Sequence, residues 1–385
     1  AGCTVIYGSE GFKCHSKICQ ITYHDANGIS RITCLGTGNF NEKTARLYSD
    51  FMLITAHPGI AEDGNAFFRN LSLGNLRGTY RYLGVAPLSL KPLVMSGIDR
   101  EIGRARAGQP ARVLLKMNSL TDRDVIDRLA EASQAGVEVI MIIRGICCML
   151  PDVKGRTTGI EIRQIVGRLL EHARIYSFGV DADTIYLSSA DMMTRNTERR
   201  VEIAYPVLDE TCRAIVRHYI GLQLADNVKA RRLTKKGTWA RIPREAGEPA
   251  VNCQELLIAE AYDAAGNAGE ATAVSNGRPT AAPVEAAIEA MAKGELAAEA
   301  QPEKSAAPEP AVKPEEKPAA APEPTASICE EPAEVSAHVI EEEPPRAEQD
   351  SAPTTLAKRP HGRVSTALAL FGLGFKALFG RSDRH

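Results

Sequence analysis

Between Tyr262 and Phe371 the chain has no aromatic residue, and Ala, Pro and Glu supply 46 of the 70 residues in 281–350. A segment of that composition cannot bury enough apolar surface to offset a chain entropy of roughly 1–2 kcal/mol per residue. Residues 269–362 are therefore expected to form a disordered Ala/Pro/Glu-rich linker with polyproline II character and short helical turns near 284–300. What folds must do so almost entirely within the first 268 of 385 residues, which is room for two domains.

Charge divides along the same line. The formal net charge of −2 hides −12 in 281–350, +5 in 351–385 and +5 in 1–280. A mildly basic folded part suits an anionic ligand. No apolar run reaches the ~18–20 residues of a membrane span. The first residue is Ala and no signal peptide is recognisable, so a processed chain or a piece of a longer one is expected. The nine cysteines contain no C-x-x-C, which argues against zinc. Their odd number in a chain of this size reads as reduced thiols in a cytoplasmic protein.

The folded part reads as α/β. Ala111–Met117 is a short, mostly apolar run. Ser119 or Thr121 can cap a helix over about 122–134 with Val125, Leu129 and Ala132 on one face, and Gly136 ends it. Val137–Ile143 is then a run in which five of seven residues are β-branched, as in a strand covered on both faces. In this βαβ unit Arg144-Gly145 falls just past the carboxyl end of the second strand, where open α/β sheets bind ligands.

Two segments are variations on one theme. The first runs Phe12-Lys13-Cys14-His15-Ser16-Lys17-Ile18, a turn at 25–28, a strand over 29–35, then Gly36-Thr37-Gly38-Asn39. The second runs Leu170-Glu171-His172-Ala173-Arg174-Ile175-Tyr176, a turn at 180–183, a strand over 184–187, then Ser188-Ser189-Ala190-Asp191. On an extended chain, His15 and Lys17 share one face, as do His172 and Arg174. A histidine beside a fixed cation, facing a small polar loop, suits phosphate. The imidazole can attack phosphorus while cations and N–H groups take the oxygen charge. Twofold repetition of this pattern is like the phospholipase D fold, in which two H-x-K half-sites meet across a pseudo-dyad.

Further stretches narrow the resemblance. They are Lys43-Thr44-Ala45-Arg46-Leu47-Tyr48-Ser49-Asp50, Lys116-Met117-Asn118-Ser119-Leu120, Ile143-Arg144-Gly145-Ile146-Cys147-Cys148, Ile165-Val166-Gly167-Arg168 and Arg199-Arg200-Val201-Glu202. With the two histidine segments, and in this order, they resemble the C-terminal part of ADP-forming, phosphohistidine-type polyphosphate kinase over about residues 1–265. The resemblance implies two phospholipase D-like α/β domains, 1–82 (incomplete at its N-terminus) and 83–268. It implies reversible transfer of the terminal phosphate of ATP to polyphosphate through a phosphohistidine. It makes His15 the phosphorylated residue and places Tyr48, Arg144 and His172 on nucleotide phosphate, with His172 either orienting phosphate or protonating the departing oxygen. Lys17 and Arg174 can add cations, and Arg forks pair with phosphate oxygens.

The resemblance also implies Mg2+, with ligands expected upstream of Ala1, together with a homo-oligomeric full-length protein. The missing upstream part leads to the expectation that 1–385 alone is inactive or weakly active. Within the motifs, Cys14, Cys34 and Phe40 stand where the family usually has Thr, His and Tyr. Two other readings stay open: a phospholipase D-like phosphodiesterase and a non-catalytic polyanion-binding piece. Against the first, the Asp nearest after Lys17 is Asp25, eight residues on, and Arg174 replaces the second Lys.

Other features have plainer readings. Asp181 and Asp183 fall in a turn, where Asp is common. The basic run Arg231-Arg232, Lys235-Lys236 and Arg241 around Trp239 reads as a solvated face, with a polyphosphate contact as the in-between reading; no nucleic acid partner is expected. Residues 363–385 read as a basic-flanked apolar helix, too short to span a bilayer, that could dock on an anionic membrane surface or in a partner's groove, with a segment folded back on its own domain or without fixed structure as the plainer reading.

Overall fold

The structure is a computed structural model that describes residues 2–26, 28–264 and 367–371. The expected linker, 269–362, lies outside the described residues. The first part runs β1 (Lys13–Cys14), β2 (Ile18–Asp25), β3 (Gly28–Gly36), α1 (Glu42–Ala45), β4 (Tyr48–Thr55) and α2 (Pro58–Ser72). Next come β5 (Gly84–Val85), α3 (Leu90–Arg106), β6 (Arg112–Met117), α4 (Arg123–Gln134), β7 (Glu138–Ile143), β8 (Glu161–Ile165), β9 (Leu170–Glu171), β10 (Arg174–Phe178) and β11 (Thr184–Ser188). The chain continues through α5 (Thr194–Arg199), β12 (Arg200–Val201), β13 (Ile203–Pro206), α6 (Glu210–Ala225), β14 (Ala230–Leu233), β15 (Trp239–Arg241) and α7 (Cys253–Ala264), with β16 at Ala367–Phe371.

Among the described residues a nine-stranded mixed sheet runs β15-β14-β8-β7-β6-β10-β11-β13-β5, and a second sheet runs β16-β4-β3-β2. Alternation sorts the large sheet's side chains. Val139, Met141, Ile143, Tyr176 and Phe178 enter one core with α3 and α4. Ile140, Ile175, Ile185, Leu187, Ile203 and Tyr205 face the other way and meet Leu35, Phe51 and Leu53 of the small sheet. The second core thus joins the two halves of the chain.

The βαβ unit is β6-α4-β7, with β6 and β7 parallel. Its helix is capped by Asp122, whose Oδ1 accepts from Val125 N at 3.3 Å, and not by Ser119 or Thr121. The reason lies in the preceding backbone. The N–H groups of Thr121 and Asp122 are both held by Met192 O, which keeps the chain extended as far as Asp122. The β2–β3 hairpin turns where expected, with Asp25 opposite Gly28, whose φ of 108° only glycine adopts freely.

Two short parallel pairings cross between the halves. β1 lies along β12, and His15 N and Ser16 N both donate to Val201 O. β9 lies along β4, and His172 N and Ala173 N both donate to Ser49 O. Each histidine therefore sits in the gap between a two-residue strand and a long one, where the sequence suggested a continuous strand.

The helix expected over 363–385 is corrected at 367–371, which form a strand antiparallel to β4. The edge of β4 offers unpaired backbone groups to an extended apolar segment, and Gly372 and Gly374 just beyond it weaken a helix. Arg363, Arg381 and Arg384 lie outside the described residues, and so does the membrane contact expected of them. No helix among the described residues is long and apolar enough to cross a membrane.

Candidate active site

His15 Nδ1 lies 2.9 Å from both carboxylate oxygens of Glu202. Glu202 is fully buried and accepts a second bond, at 2.5 Å, from Ser189 Oγ. His172 Nδ1 lies 2.9 and 2.8 Å from the oxygens of Asp50, which accepts from Thr37 Oγ1 at 2.6 Å. The two constellations match part for part: histidine, carboxylate, hydroxyl. In each, the carboxylate and hydroxyl come from the half of the chain that does not supply the histidine. Gly38 makes room for one of them, since a Cβ there would lie 1.9 Å from Asp50 Oδ2.

The two histidines differ in what holds the rest of the ring. Arg174 Nη1 lies 2.9 Å from His172 Nε2 and 3.2 Å from Nδ1, and donates to the His172 carbonyl at 2.8 Å. The Tyr48 ring stands obliquely against His172, with centroids 5.1 Å apart. Burial lowers the His172 pKa, with the Arg174 and Arg144 charges adding to it and Asp50 opposing, so the ring is neutral at pH 7. His15 lines an open cleft of about 530 Å³ with Lys13, Cys14, Lys17, Asn39 and Phe40. Among the described residues its Nε2 has no partner.

Three cations converge here. Lys17, only 6% exposed, donates to the His15 carbonyl at 2.5 Å. Burial depresses its pKa from 10.5 to about 8, and the nearby Arg174 and Arg200 charges work in the same direction against Glu202 and Asp50. Arg174 is paired with Asp191 through Nη2 at 3.2 Å and also reaches the Thr37 carbonyl at 3.3 Å. Burial alone would raise the Asp191 carboxyl, but Arg174 and the Asn118 hydrogen bonds hold it below its ordinary value. Arg144, half-buried past the end of β7, donates from Nε to the Glu171 carbonyl at 2.6 Å and has no carboxylate partner among the described residues.

Beneath Arg144 and His172 lies a buried polar cluster. The Glu171 carboxylate takes Lys116 Nζ at 3.1 Å and accepts from Tyr219 Oη, Gln223 and Gln254, each at 2.6 Å. Since Glu171 also presents its carbonyl to Arg144, this cluster fixes two of the site's side chains at once.

All six residues singled out from the sequence (His15, Lys17, Tyr48, Arg144, His172 and Arg174) thus gather at the seam between the two sheets. Sequence reasoning missed the roles of Asp50, Glu202, Thr37, Ser189 and Glu171. One signal was available. Thr37 precedes Asp50 by 13 residues and Ser189 precedes Glu202 by 13, so the repeat extends past the loops into the carboxylates. Asp181 and Asp183 stand apart from the site, with Asp183 near Arg104 at 3.5 Å.

No group of three or more His, Cys, Asp or Glu among the described residues could hold a metal ion. Asp50, Glu202 and Asp191 are each engaged by a histidine or arginine and by a second donor, so the described residues of the site do not fit Mg2+.

The chain is similar to known proteins over most of its described length. Residues 1–76 match the family described as polyphosphate kinase C-terminal domain 1, and residues 83–254 match polyphosphate kinase C-terminal domain 2. The polyphosphate kinase of Staphylococcus saprophyticus is 46% identical over 264 residues, which is 68% of this chain and 36% of that protein. That of Bacillus anthracis is 42% identical over 263 residues, 68% of this chain and 37% of that protein. The crystal structure of the Porphyromonas gingivalis polyphosphate kinase superposes with a TM-score of 0.62 at 37% identity, covering 66% of this chain and 40% of that one. The chain spans a little over a third of the length of these curated relatives. With both C-terminal domains matched in order, the chain belongs to the polyphosphate kinase family, as its C-terminal part.

Proposed function

We propose that this chain carries the phosphoryl-transfer machinery of a polyphosphate kinase, which moves the terminal phosphate of ATP reversibly to polyphosphate through a phosphohistidine at His15. The observation that carries the reading is the unequal state of two otherwise matched histidines. Glu202 accepts the Nδ1 proton of His15 and so leaves the lone pair on Nε2, which opens to the cleft. His172 has Arg174 against both ring nitrogens, which blocks attack.

In the first half-reaction the Nε2 lone pair forms an N–P bond as the bond from phosphorus to the ADP oxygen breaks, its electrons staying on ADP. Positive charge developing on the ring is met by Glu202. In the second, a terminal oxygen of polyphosphate attacks phosphorus and Nε2 departs with its electrons. The chemistry is mostly positioning and charge neutralisation. Lys17 and Arg144 are the uncommitted cations, because Arg174 already shares its charge with Asp191. The Tyr48 hydroxyl and neutral His172 orient the phosphate. The two halves, exchanging carboxylates about a pseudo-dyad, suit a phospholipase D-like pair of domains over 1–82 and 83–268. The reading brings ATP and polyphosphate as partners, a cytoplasmic setting, a homo-oligomer, and Mg2+ held by groups outside this chain. No step here runs through the metal.

The test is a graft of residues 1–265 in place of the matching part of the Staphylococcus saprophyticus protein. Incubated with ATP labelled at the γ-phosphate, the graft should acquire acid-labile, base-stable label that chases into polyphosphate. A folded graft that takes no label sinks the proposal.

Two further outcomes follow from the cations. Arg144→Ala should cost about 2–4 kcal/mol of transition-state stabilisation, or roughly 30- to 10³-fold in turnover, the scale of a lost oxyanion donor. Its melting temperature should stay close to the parent's, since the side chain lies past a strand end; a large fall in melting temperature with near-normal turnover would mark it as structural. Lys17 should set the alkaline limb of kcat/KM. Its cation is present below about pH 8 and lost above, so activity falls as pH rises through that value. Stability moves the other way. Between about 8 and 10.5 the unfolded chain binds the proton that the folded chain has released, so the Lys17 contribution to stability increases with pH across that window. Lys17→Arg, charged throughout, should move the activity limb upward; an unchanged limb would assign it to another group.

A further inference from the structure

We infer that the β14–β15 hairpin is a second anion-binding element, which holds a phosphate polymer beyond its reacting end. The inference rests on the proposed function and adds a binding site to it. Residues 227–244 contain seven Lys and Arg and no Asp or Glu. Within the ladder Arg231 stands directly opposite Arg241. Like charges facing each other across a strand pair weaken it. Neither arginine has an acid within ion-pair range among the described residues, and both are exposed. Their neighbour Arg232 is treated differently, lying 3.2 Å from Glu161. The fold supplies a carboxylate for one arginine and leaves the facing two for an anion from outside.

Their position says which anion. β8 is parallel to β7, so both end on the side of the sheet where Arg144 emerges. β14 runs antiparallel along β8 with Ala230 opposite Ile165 and Arg231 opposite Gln164. Arg231 and Arg241 therefore lie at the site end of the hairpin. Gln164 links the two places, donating to the Arg144 carbonyl at 2.7 Å. From β7 out to β15 is three strand spacings, about 15 Å. A polymer whose terminal phosphate lies at Arg144 crosses this edge within a few residues of its length. Arg forks suit the oxygens of such a chain.

A nucleic acid would meet the same cations but needs surfaces on which bases can stack. Trp239, the aromatic residue of the hairpin, is partly buried against the core of the large sheet. The hairpin thus offers charge without a stacking platform, which fits a polymer made of phosphate alone. Lys235 and Lys236 sit in the turn beyond the Leu233–Trp239 pair, at the end of the hairpin away from the site.

The experiment measures binding of long-chain inorganic polyphosphate and of tripolyphosphate to the full 385-residue chain. Arg231→Gln/Arg241→Gln should weaken long-chain binding roughly tenfold and leave tripolyphosphate unchanged. Lys235→Gln/Lys236→Gln should stay within about twofold of the parent for both. Equal losses in the two double variants, or none in the arginine variant, would overturn the inference while leaving the function intact. Competition by single-stranded RNA as effective as by polyphosphate of equal charge would reassign the hairpin to nucleic acid. Failure of the parent chain to bind either phosphate polymer would remove the functional reading itself, and the inference with it. All four residues are exposed, and unchanged thermal melting shows that the variants fold.

Discussion

His15→Ala in the grafted enzyme is expected to abolish the phosphoenzyme label and to lower turnover by about 10⁴- to 10⁶-fold, as removal of a covalent nucleophile does elsewhere. The melting temperature should hardly change. The ring is 23% exposed, lies in a gap between strands and belongs to neither hydrophobic core. Glu202→Gln should give an intermediate loss, because an amide can still accept from Nδ1–H but no longer balances a cationic ring. His172→Ala should keep some label, since it removes an orienting group and not the attacking nitrogen. Stoichiometric label in His15→Ala, lost only when His172 is also replaced, would exchange the roles of the two histidines.

The largest loss of stability should come from Glu171→Ala, at about 3–5 kcal/mol. Glu171 is 3% exposed and Lys116 is 1% exposed, so the substitution strands a buried ammonium. It also leaves the Tyr219, Gln223 and Gln254 donors without their acceptor. Burial pushes the Glu171 pKa up, but the Lys116 charge and the three hydrogen bonds more than reverse this and hold it below its ordinary 4.5. The stabilisation is therefore complete above pH 4.5 and is lost as pH falls through the lowered value. Urea unfolding of Glu171→Ala measures the cost, and a cost under about 1 kcal/mol would mean that water reaches Lys116. The double variant Lys116→Met/Glu171→Leu should regain only part of the stability, because it removes both charges together but still leaves the Tyr219, Gln223 and Gln254 donors without an acceptor. It should not regain activity if the pair also sets the Glu171 carbonyl that holds Arg144.

Much of this architecture was legible along the chain. Strand β7 announced itself as a run rich in β-branched residues, and the face of α4 as Val125, Leu129 and Ala132. The repeated histidine-x-cation segments pointed to the candidate site, and Arg144 followed from its place at a strand end. What stayed hidden depended on contacts remote in sequence. Glu202 is 187 residues from His15, and Asp50 is 122 from His172. Local periodicity cannot report such pairs. The cap of α4 was misplaced for the same reason, since Met192, far down the chain, decides where the backbone before it stays extended. The C-terminal strand shows the complementary limit: an apolar run takes its conformation from the edge it meets, and that edge is more than 300 residues away.

The exchanged carboxylates also set an order of assembly. His15, the proposed nucleophile, is synthesised 187 residues before Glu202, the carboxylate proposed to tune it, which comes after both cores have most of their strands. His172, made in between, finds Asp50 already waiting. During translation, then, the His15 imidazole lacks its carboxylate partner until the second half is nearly complete. A truncated product ending before β12 therefore holds both histidines and lacks Glu202, the buried counter-charge of His15.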